Sequence, residues 1–227
     1  MAIYLGNKKV STKSGYVATG MKAYFDAGGK CAESNFKDLT NILKYDDTSN
    51  MTDMSSMFSR CIYLTKIPLI DTSNVTKMSD MFYDCRALTT IPQIDTSNAT
   101  NMFRMFRGCE KLITIPQLNM SKAESLSFIF SGCTKLAIIP QLDVSNIIDF
   151  YEMFYECHSL SEIHMTGMKA DFDISVSTKF THDALVEILN NLATVTSTKT
   201  LTMGSTNLAK LTDEDKAIAT NKGWTLA

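Results

Sequence analysis

Residues 71–94 read DTSNVTKMSDMFYDCRALTTIPQI, and this 24-residue sentence is written five times without an insertion or a deletion. The other copies are DTSNMTDMSSMFSRCIYLTKIPLI from Asp47, DTSNATNMFRMFRGCEKLITIPQL from Asp95, NMSKAESLSFIFSGCTKLAIIPQL from Asn119 and DVSNIIDFYEMFYECHSLSEIHMT from Asp143. A fixed period in the twenties is the mark of a solenoid, because one such unit cannot bury its apolar face alone and must stack on its neighbours. The chain therefore divides into an N-terminal cap at 1–46, five coils at 47–166 and a C-terminal cap at 167–227. The fold class expected is an α/β solenoid. It is a right-handed coil with a parallel sheet, short helical turns on the convex side and longer helices in the C-terminal cap.

The positions that barely vary are those a shared core needs. Phe58, Phe82, Phe106, Phe130 and Phe154 form one row, and Leu64, Leu88, Leu112, Leu136 and Leu160 a second. Ile67, Ile91, Ile115, Ile139 and Ile163 form a third, and Met57, Met81, Met105, Ile129 and Met153 a fourth. Stacked parallel strands put equivalent residues about 4.8 Å apart, so the period becomes columns of like side chains. Within each copy L-T-x-I-P-x-I is the expected strand, interrupted at Pro68, Pro92, Pro116 and Pro140, since proline has no N–H to donate. D-T-S-N is a turn in which Asp and Ser bond the local backbone. M-F-x-x-C reads as about one helical turn.

Outside the repeats, Ile3–Val10 reads as a strand, and Thr19 can cap a short helix, Met21–Ala27, stopped by Gly28 and Gly29. Phe36, Leu39, Ile42 and Leu43 imitate the second half of a copy, as the shielding end of an array would. After Thr166 the period breaks. Asp171–Ser175, Thr200–Met203 and Trp224–Leu226 read as strands. Thr181 caps a helix with Leu185, Ile188, Leu189 and Leu192 on one face, and Thr212 caps another that Gly223 closes. Strand, helix, strand, helix, strand is a parallel βαβαβ pattern, expected to continue the sheet of the coils.

Composition excludes several classes of function. With 44% apolar residues among 227, a full core is available. A net charge of −2 and a pI near 5.9 leave no electrostatic footprint for nucleic acid or an anionic membrane. No apolar run approaches the roughly 18 to 20 residues of a membrane span, so no membrane insertion is expected. The start, MAIYLGNKKVSTKSG, lacks the uninterrupted apolar region of a signal peptide. The expectation is synthesis in the cytoplasm, followed by release or surface display through a route other than general secretion.

Residues that could carry chemistry fall on the period instead. Cys61, Cys85, Cys109, Cys133 and Cys157 recur once per copy, with Cys31 off-register, and this spacing is unlike the close cysteine pairs of zinc sites. They read as a buried ladder of small apolar thiols. His158, His164 and His182 form no nucleophile–base pair by spacing, and His164 simply stands where the repeat has proline. Asp47, Asp71, Asp95 and Asp143 offer one carboxylate per coil, interrupted by Asn119, which is turn chemistry before it is a calcium ladder. N-x-S/T at Asn50, Asn74, Asn98 and Asn119 is a glycosylation pattern, yet its recurrence with the period reads as turn chemistry too. No phosphate-binding glycine loop, nucleophile elbow or HExxH helix is present, so no catalytic residue, metal ligand or cofactor site is assigned.

The variable positions of the strand are left to meet a partner. Thr65, Lys66, Thr89, Thr90, Thr114 and Glu162 lie between the fixed Leu and Ile, with Ile113, Ala137, Ile138 and Ser161 at the equivalent places in other copies. The strand ends on Leu69, Gln93, Gln117, Gln141 and Met165. These should face outward, on the usual binding surface of a solenoid, although the glutamines also read as a solvated ladder. Tyr83, Phe103, Tyr151 and Tyr155 offer a second, convex patch of exposed aromatics.

The motif N-V-T-x-M-x-x-M-F-x-x-C-x-x-L-T-x-I-P-x-I-D-T-S resembles the BspA-like leucine-rich repeats of bacterial surface proteins, over all five copies. Copy four (NMSKAES) and copy five (HMT for P-x-I) depart from it. The tail LTMGSTNLAKLTDEDKAIATNKGWTLA is similar to the ends of repeat proteins of gut Firmicutes and their prophages, and MAIYLGNKKV to the start of some phage structural proteins. The resemblance implies a leucine-rich-repeat-type coil and a role in adhesion or recognition rather than catalysis. The function expected is a non-catalytic module that binds a protein or glycan on a cell surface, in a phage-tail or surface-protein setting. The rival is a structural spacer or assembly component of a larger particle. Neither the ligand nor the oligomeric state is written in the repeat.

Overall fold

The structure, a computed structural model, describes residues 3–5, 8–11, 48–67 and 69–227. The expected helix Met21–Ala27, the Phe36–Leu43 segment, Cys31, Asp47 and Pro68 lie outside the described residues. At the N-terminus the single expected strand is a hairpin of two, β1 (Ile3–Leu5) and β2 (Lys8–Ser11), paired antiparallel with Leu5 opposite Lys8. Gly6–Asn7, a dipeptide typical of two-residue hairpin connections, is the sequence signal for that break.

The repeats form a leucine-rich-repeat-type coil whose period is spatial. Rings of Phe58 and Phe82 stack with centroids 5.3 Å apart and planes 4° from parallel, and the column continues through Phe106, Phe130 and Phe154 at 5.6, 5.8 and 6.1 Å. The Leu, Ile and Met rows and the five repeat cysteines are buried beside them in one core. That core reaches into the C-terminal region through Phe172, Leu185, Ile188, Leu201 and Trp224.

Two local expectations are corrected. The M-F-x-x-C segment is not a helical turn, and among the described residues no helix falls between 48 and 166. The chain there takes left-handed φ values twice per coil, at Ser56 and Arg60, at Asp80 and Asp84, at Arg104 and Gly108, at Phe128 and Gly132, and at Glu152 and Glu156. Each left-handed residue ends any run of helical dihedrals. Alternate N–H groups consequently point along the stack. Met54, Ser56, Phe58 and Arg60 donate to the carbonyls of Lys77, Ser79, Met81 and Tyr83 one coil on, at 2.9, 2.9, 2.9 and 2.6 Å. Coil-to-coil bonds replace the i→i+4 bonds of a helix.

The strand segment, in turn, pairs regularly only in the last two coils, as β3 (Ile138–Asp143) and β4 (Glu162–Thr166), which are parallel. Their register slips between Ile139 and Leu142, at Pro140. On β4 the proline is His164, and Leu142 is opposite Met165 rather than Thr166. The fifth coil is therefore one residue short of the period on this side.

The C-terminal region adds β5 (Phe172–Asp173), α1 (His182–Asn191), β6 (Lys199–Thr202), α2 (Gly204–Leu208), α3 (Asp213–Thr220) and β7 (Trp224–Leu226). Thr181 Oγ1 caps α1 by accepting from Ala184 N–H, and Thr212 and Asp215 close a reciprocal capping box on α3. The short α2 begins at Gly204, whose φ of +74° makes the entry turn. Strands β5, β6 and β7 are parallel but form a sheet of their own rather than extending β3–β4. Asp173 stands 24 residues after Asp149, so this sheet follows the bridged row of Asp53, Lys77 and Asn101, and of Ser125 and Asp149.

Candidate functional site

The strand face is built from residues that alternate with the buried Leu and Ile rows. Lys66, Thr90, Thr114 and Glu162 are exposed, Thr65 and Thr89 half-buried, and Gln93, Gln117 and Gln141 exposed at the strand ends. Ile113 and Ile138 stand 57% and 37% exposed among these threonines, and Leu69 is 74% exposed where the other coils carry glutamine. The face is thus apolar and hydroxyl-bearing at its centre, with Lys66 toward one end and Glu162 toward the other. Thr114 and Ile138 are bridged in parallel.

The glutamine row turns out to be tied down. Gln93 Nε2 donates to the Gln117 carbonyl at 2.7 Å, and Gln117 Nε2 to the Gln141 carbonyl. These amides serve backbone carbonyls where proline interrupts pairing, so they stitch coils rather than stand free. Met165, expected outward in the same row, is fully buried, because the one-residue slip on β4 turns it into the core beside Leu142. A shallow cavity of about 550 Å³ lies beside Gln93 and Gln117, floored by the turns at Asp95, Asn119 and Asp143.

Those turns are self-satisfied. Asp71, Asp95, Asn119 and Asp143 each accept through Oδ1 from the backbone N–H two residues on, at 2.8 to 2.9 Å. Hydrogen bonds from Ser97 and from Ser145 hold the Asp95 and Asp143 carboxyls below their ordinary range. The asparagines of the N-x-S/T pattern join the same frame: Asn74 and Asn98 donate to the Ser49 and Ser73 carbonyls of the preceding coil, both at 2.7 Å. Among the described residues no three His, Cys, Asp or Glu side chains gather where a metal ion could sit, and no helix is long and apolar enough to cross a membrane.

Cysteine departs from the sequence reading at one end. Cys85, Cys109, Cys133 and Cys157 are free, buried thiols whose Sγ–H groups donate to the carbonyls of Phe58, Phe82, Phe106 and Phe130 at 3.0 to 3.2 Å. Burial pushes their pKa values up, that of Cys157 to about 12. Cys61, expected to be a thiol of the same row, is disulfide-bonded.

The histidines do not come together. His164 lies between Glu187 (Nδ1···Oε1 2.7 Å) and Glu162 (Nε2···Oε2 3.2 Å), His182 between Asp183 and Asp215, and His158 nears the Val176 carbonyl.

On the turn side, the expected aromatic patch is two different surfaces. Tyr83 and Phe103 are half-buried under arginines: the Arg60, Arg104 and Arg107 guanidinium carbons lie 5.7, 5.6 and 6.0 Å from the Tyr83 ring, and Arg104 lies 4.6 Å from Phe103. Asp80 pairs with Arg104 at 3.0 Å. Tyr151 and Tyr155, 60% and 50% exposed, instead border a cavity of about 320 Å³ between the fifth coil and β5–β6. Sequence reasoning passed over this cavity and the arginine cover. Arg60, Arg104 and Arg107 occupy no single row of the repeat, and the cavity arises where the period fails.

Comparison with known proteins fits this architecture. A family profile described as "Mycoplasma protein of unknown function, DUF285" matches residues 19–138 and again 89–183. A leucine-rich repeat protein of T. pallidum superposes with a TM-score of 0.52 at 14% identity, over 76% of this chain and 77% of that one. Another, from Eubacterium ventriosum ATCC 27560, aligns at 22% identity with a TM-score of 0.43 over 60% of this chain and 38% of that one. No curated protein matches. A five-fold stack of BspA-like leucine-rich repeats, with the profile spanning most of its length, places this chain in the DUF285 family.

Proposed function

We propose that the chain is a non-catalytic recognition module that binds a partner protein through the strand face of its coils. The observation that supports this reading is the exposure of Ile113 and Ile138 in adjacent coils, among the hydroxyls of Thr90 and Thr114. Large apolar side chains ringed by short polar ones are the chemistry of an interface core. The hydrogen-bonded side chains of Gln93 and Gln117 and the self-satisfied turns border that surface. Adhesion, and a phage-tail or cell-surface setting, belong to this proposal through the resemblance of the repeat and of the two ends of the chain.

The test is affinity capture from bacterial envelope extracts followed by direct binding of the captured protein to purified variants. Ile113→Asp with Ile138→Asp should abolish binding while leaving the fold intact, since both side chains are outside the core. If the partner is retained by that double variant, the strand face is not the recognition surface. If no partner is captured and particle assembly fails instead, the coil is a spacer.

A further inference from the structure

Phe128 joins the two aromatic surfaces of the turn side. Its ring lies edge-on to Phe103 at 5.8 Å and to Tyr151 at 5.2 Å, so the third, fourth and fifth coils share one aromatic ridge. The position is unusual for such a residue. Phe128 has a left-handed φ of +57°, and the equivalent places in the other coils are taken by Ser56, Asp80, Arg104 and Glu152. A large side chain in that conformation costs backbone energy. Burial in the core does not offset the cost, because the Phe128 ring is only half-buried on the surface while Ile129 and Phe130 fill the interior.

Charges of opposite sign flank the ridge. On the third-coil side the Arg107 guanidinium lies 5.3 Å from the Phe128 ring and 6.0 Å from that of Tyr83, and Arg104 covers Phe103. On the fifth-coil side Glu152 is exposed together with Tyr151 and Tyr155. Asp80 neutralises Arg104. Among the described residues, however, no carboxylate pairs with Arg107 and no cation pairs with Glu152. An aromatic ridge with a cation one coil before its centre and a carboxylate one coil after it is complementary to itself after half a turn. That is the requirement of a two-fold interface, in which residue i meets residue j and j meets i.

We infer that this ridge is the interface with a second copy of the chain, related by a two-fold axis through the fourth coil. Rotation about that axis sets the third coil of each copy against the fifth coil of the other. Arg107 then faces Glu152 of the partner subunit, and the same pair forms again on the far side of the axis. The rings of Phe128, Tyr151 and Tyr155 fill the space between the two pairs. Aromatic side chains at the centre with ion pairs at the rim are the anatomy of a specific interface. The charge pairs fix the antiparallel register, since a parallel alignment would set Arg107 on Arg107 and Glu152 on Glu152. The ridge is separate from the strand face, so the two readings stand or fall independently.

Sedimentation velocity of the full chain from about 1 to about 500 μM should show a monomer–dimer equilibrium that weakens severalfold between about 0.05 and about 0.5 M salt. Arg107→Glu alone and Glu152→Arg alone should each be monomeric, because either homodimer would place like charges together at both pairs. An equimolar mixture of the two variants should dimerise again, since each supplies the charge the other lacks. Both changes suit the coil. Arg104 already fills the Glu152 position with φ +54°, and the Arg107 position holds Ser59, Tyr83, Ser131 and Tyr155 in the other coils. Phe128→Ser should weaken dimerisation about tenfold, whereas Ile113→Asp with Ile138→Asp should leave it unchanged. A wild-type chain that stays monomeric over that range overturns the proposal, as do single variants that self-associate like the wild type or a mixture that stays monomeric. Self-association insensitive to salt overturns it without recourse to any variant.

Discussion

The hydroxyl of Thr72 is bonded twice to the backbone of Asp95 in the next coil, donating to its carbonyl and accepting from its N–H, each at 2.8 Å. Thr48 treats Asp71, and Thr96 treats Asn119, in the same way. All three threonines are buried. The two coils that lack the hydroxyl, at Met120 and Val144, are the two whose strands pair as β3 and β4. The threonine thus supplies, in coils without a regular strand pair, the coil-to-coil bonds that β3 and β4 make through their backbones.

Replacing Thr72 with Val keeps its shape but removes the partner of two partly buried backbone groups of Asp95. Stability should fall by about 1–3 kcal/mol, read as a lower urea midpoint, while Thr72→Ser should retain most of it. A Thr72→Val protein with the wild-type midpoint would show that the hydroxyl is incidental.

The buried thiols make a chemical prediction. Since desolvation raises their pKa values, Cys85, Cys109, Cys133 and Cys157 should resist iodoacetamide in the native protein at about pH 8 and react once it is unfolded. Peptide mapping by mass spectrometry reads this directly. Alkylation of Cys109 or Cys133 under native conditions would contradict the closed core.

His164 should make stability depend on pH. Its hydrogen bond to Glu187, and then the one to Glu162, raise its pKa above the ordinary value, outweighing partial burial. A raised pKa means a contribution that is complete below about pH 6.5 and lost as pH climbs through the higher folded value. Because both glutamates are partly exposed, the effect should be on the order of half a kcal/mol. His164→Gln should therefore lower the urea midpoint more at about pH 5.5 than at about pH 8.5. A variant equally destabilised at both values would exclude the ion pairs as the cause.

Left-handed backbone at non-glycine residues predicts stabilising changes. Gly108 and Gly132 occupy the position that Arg60, Asp84 and Glu156 fill with φ near +60° in other coils. Glu156→Gly should raise stability by up to about 1 kcal/mol by relieving that strain, and Gly132→Glu should lower it. Thermal or urea unfolding of the pair checks the sign; a destabilised Glu156→Gly would show that its side chain holds the turn.

The 24-residue spacing alone was enough to identify a stack, because any unit too small to bury its own apolar face has to repeat in space as it repeats in sequence. The phenylalanine column, the buried cysteine row and the Asp–Ser turns were legible for that reason, and so were α1 and α3 from their threonine caps. What the repeat could not reveal was the backbone path within a coil. M-F-x-x-C has the composition of a helical turn, and only the coil above and below converts its N–H groups into ladder donors. The slip that buries Met165, the amide bonds that tie down Gln93 and Gln117, and the cavity beside Tyr155 are all set by how one coil meets the next. Periodicity reports which residues are equivalent. Where equivalence ends, at the seam between the fifth coil and β5, contacts between residues without a shared position in the repeat decide the surface, and only the tertiary structure holds them.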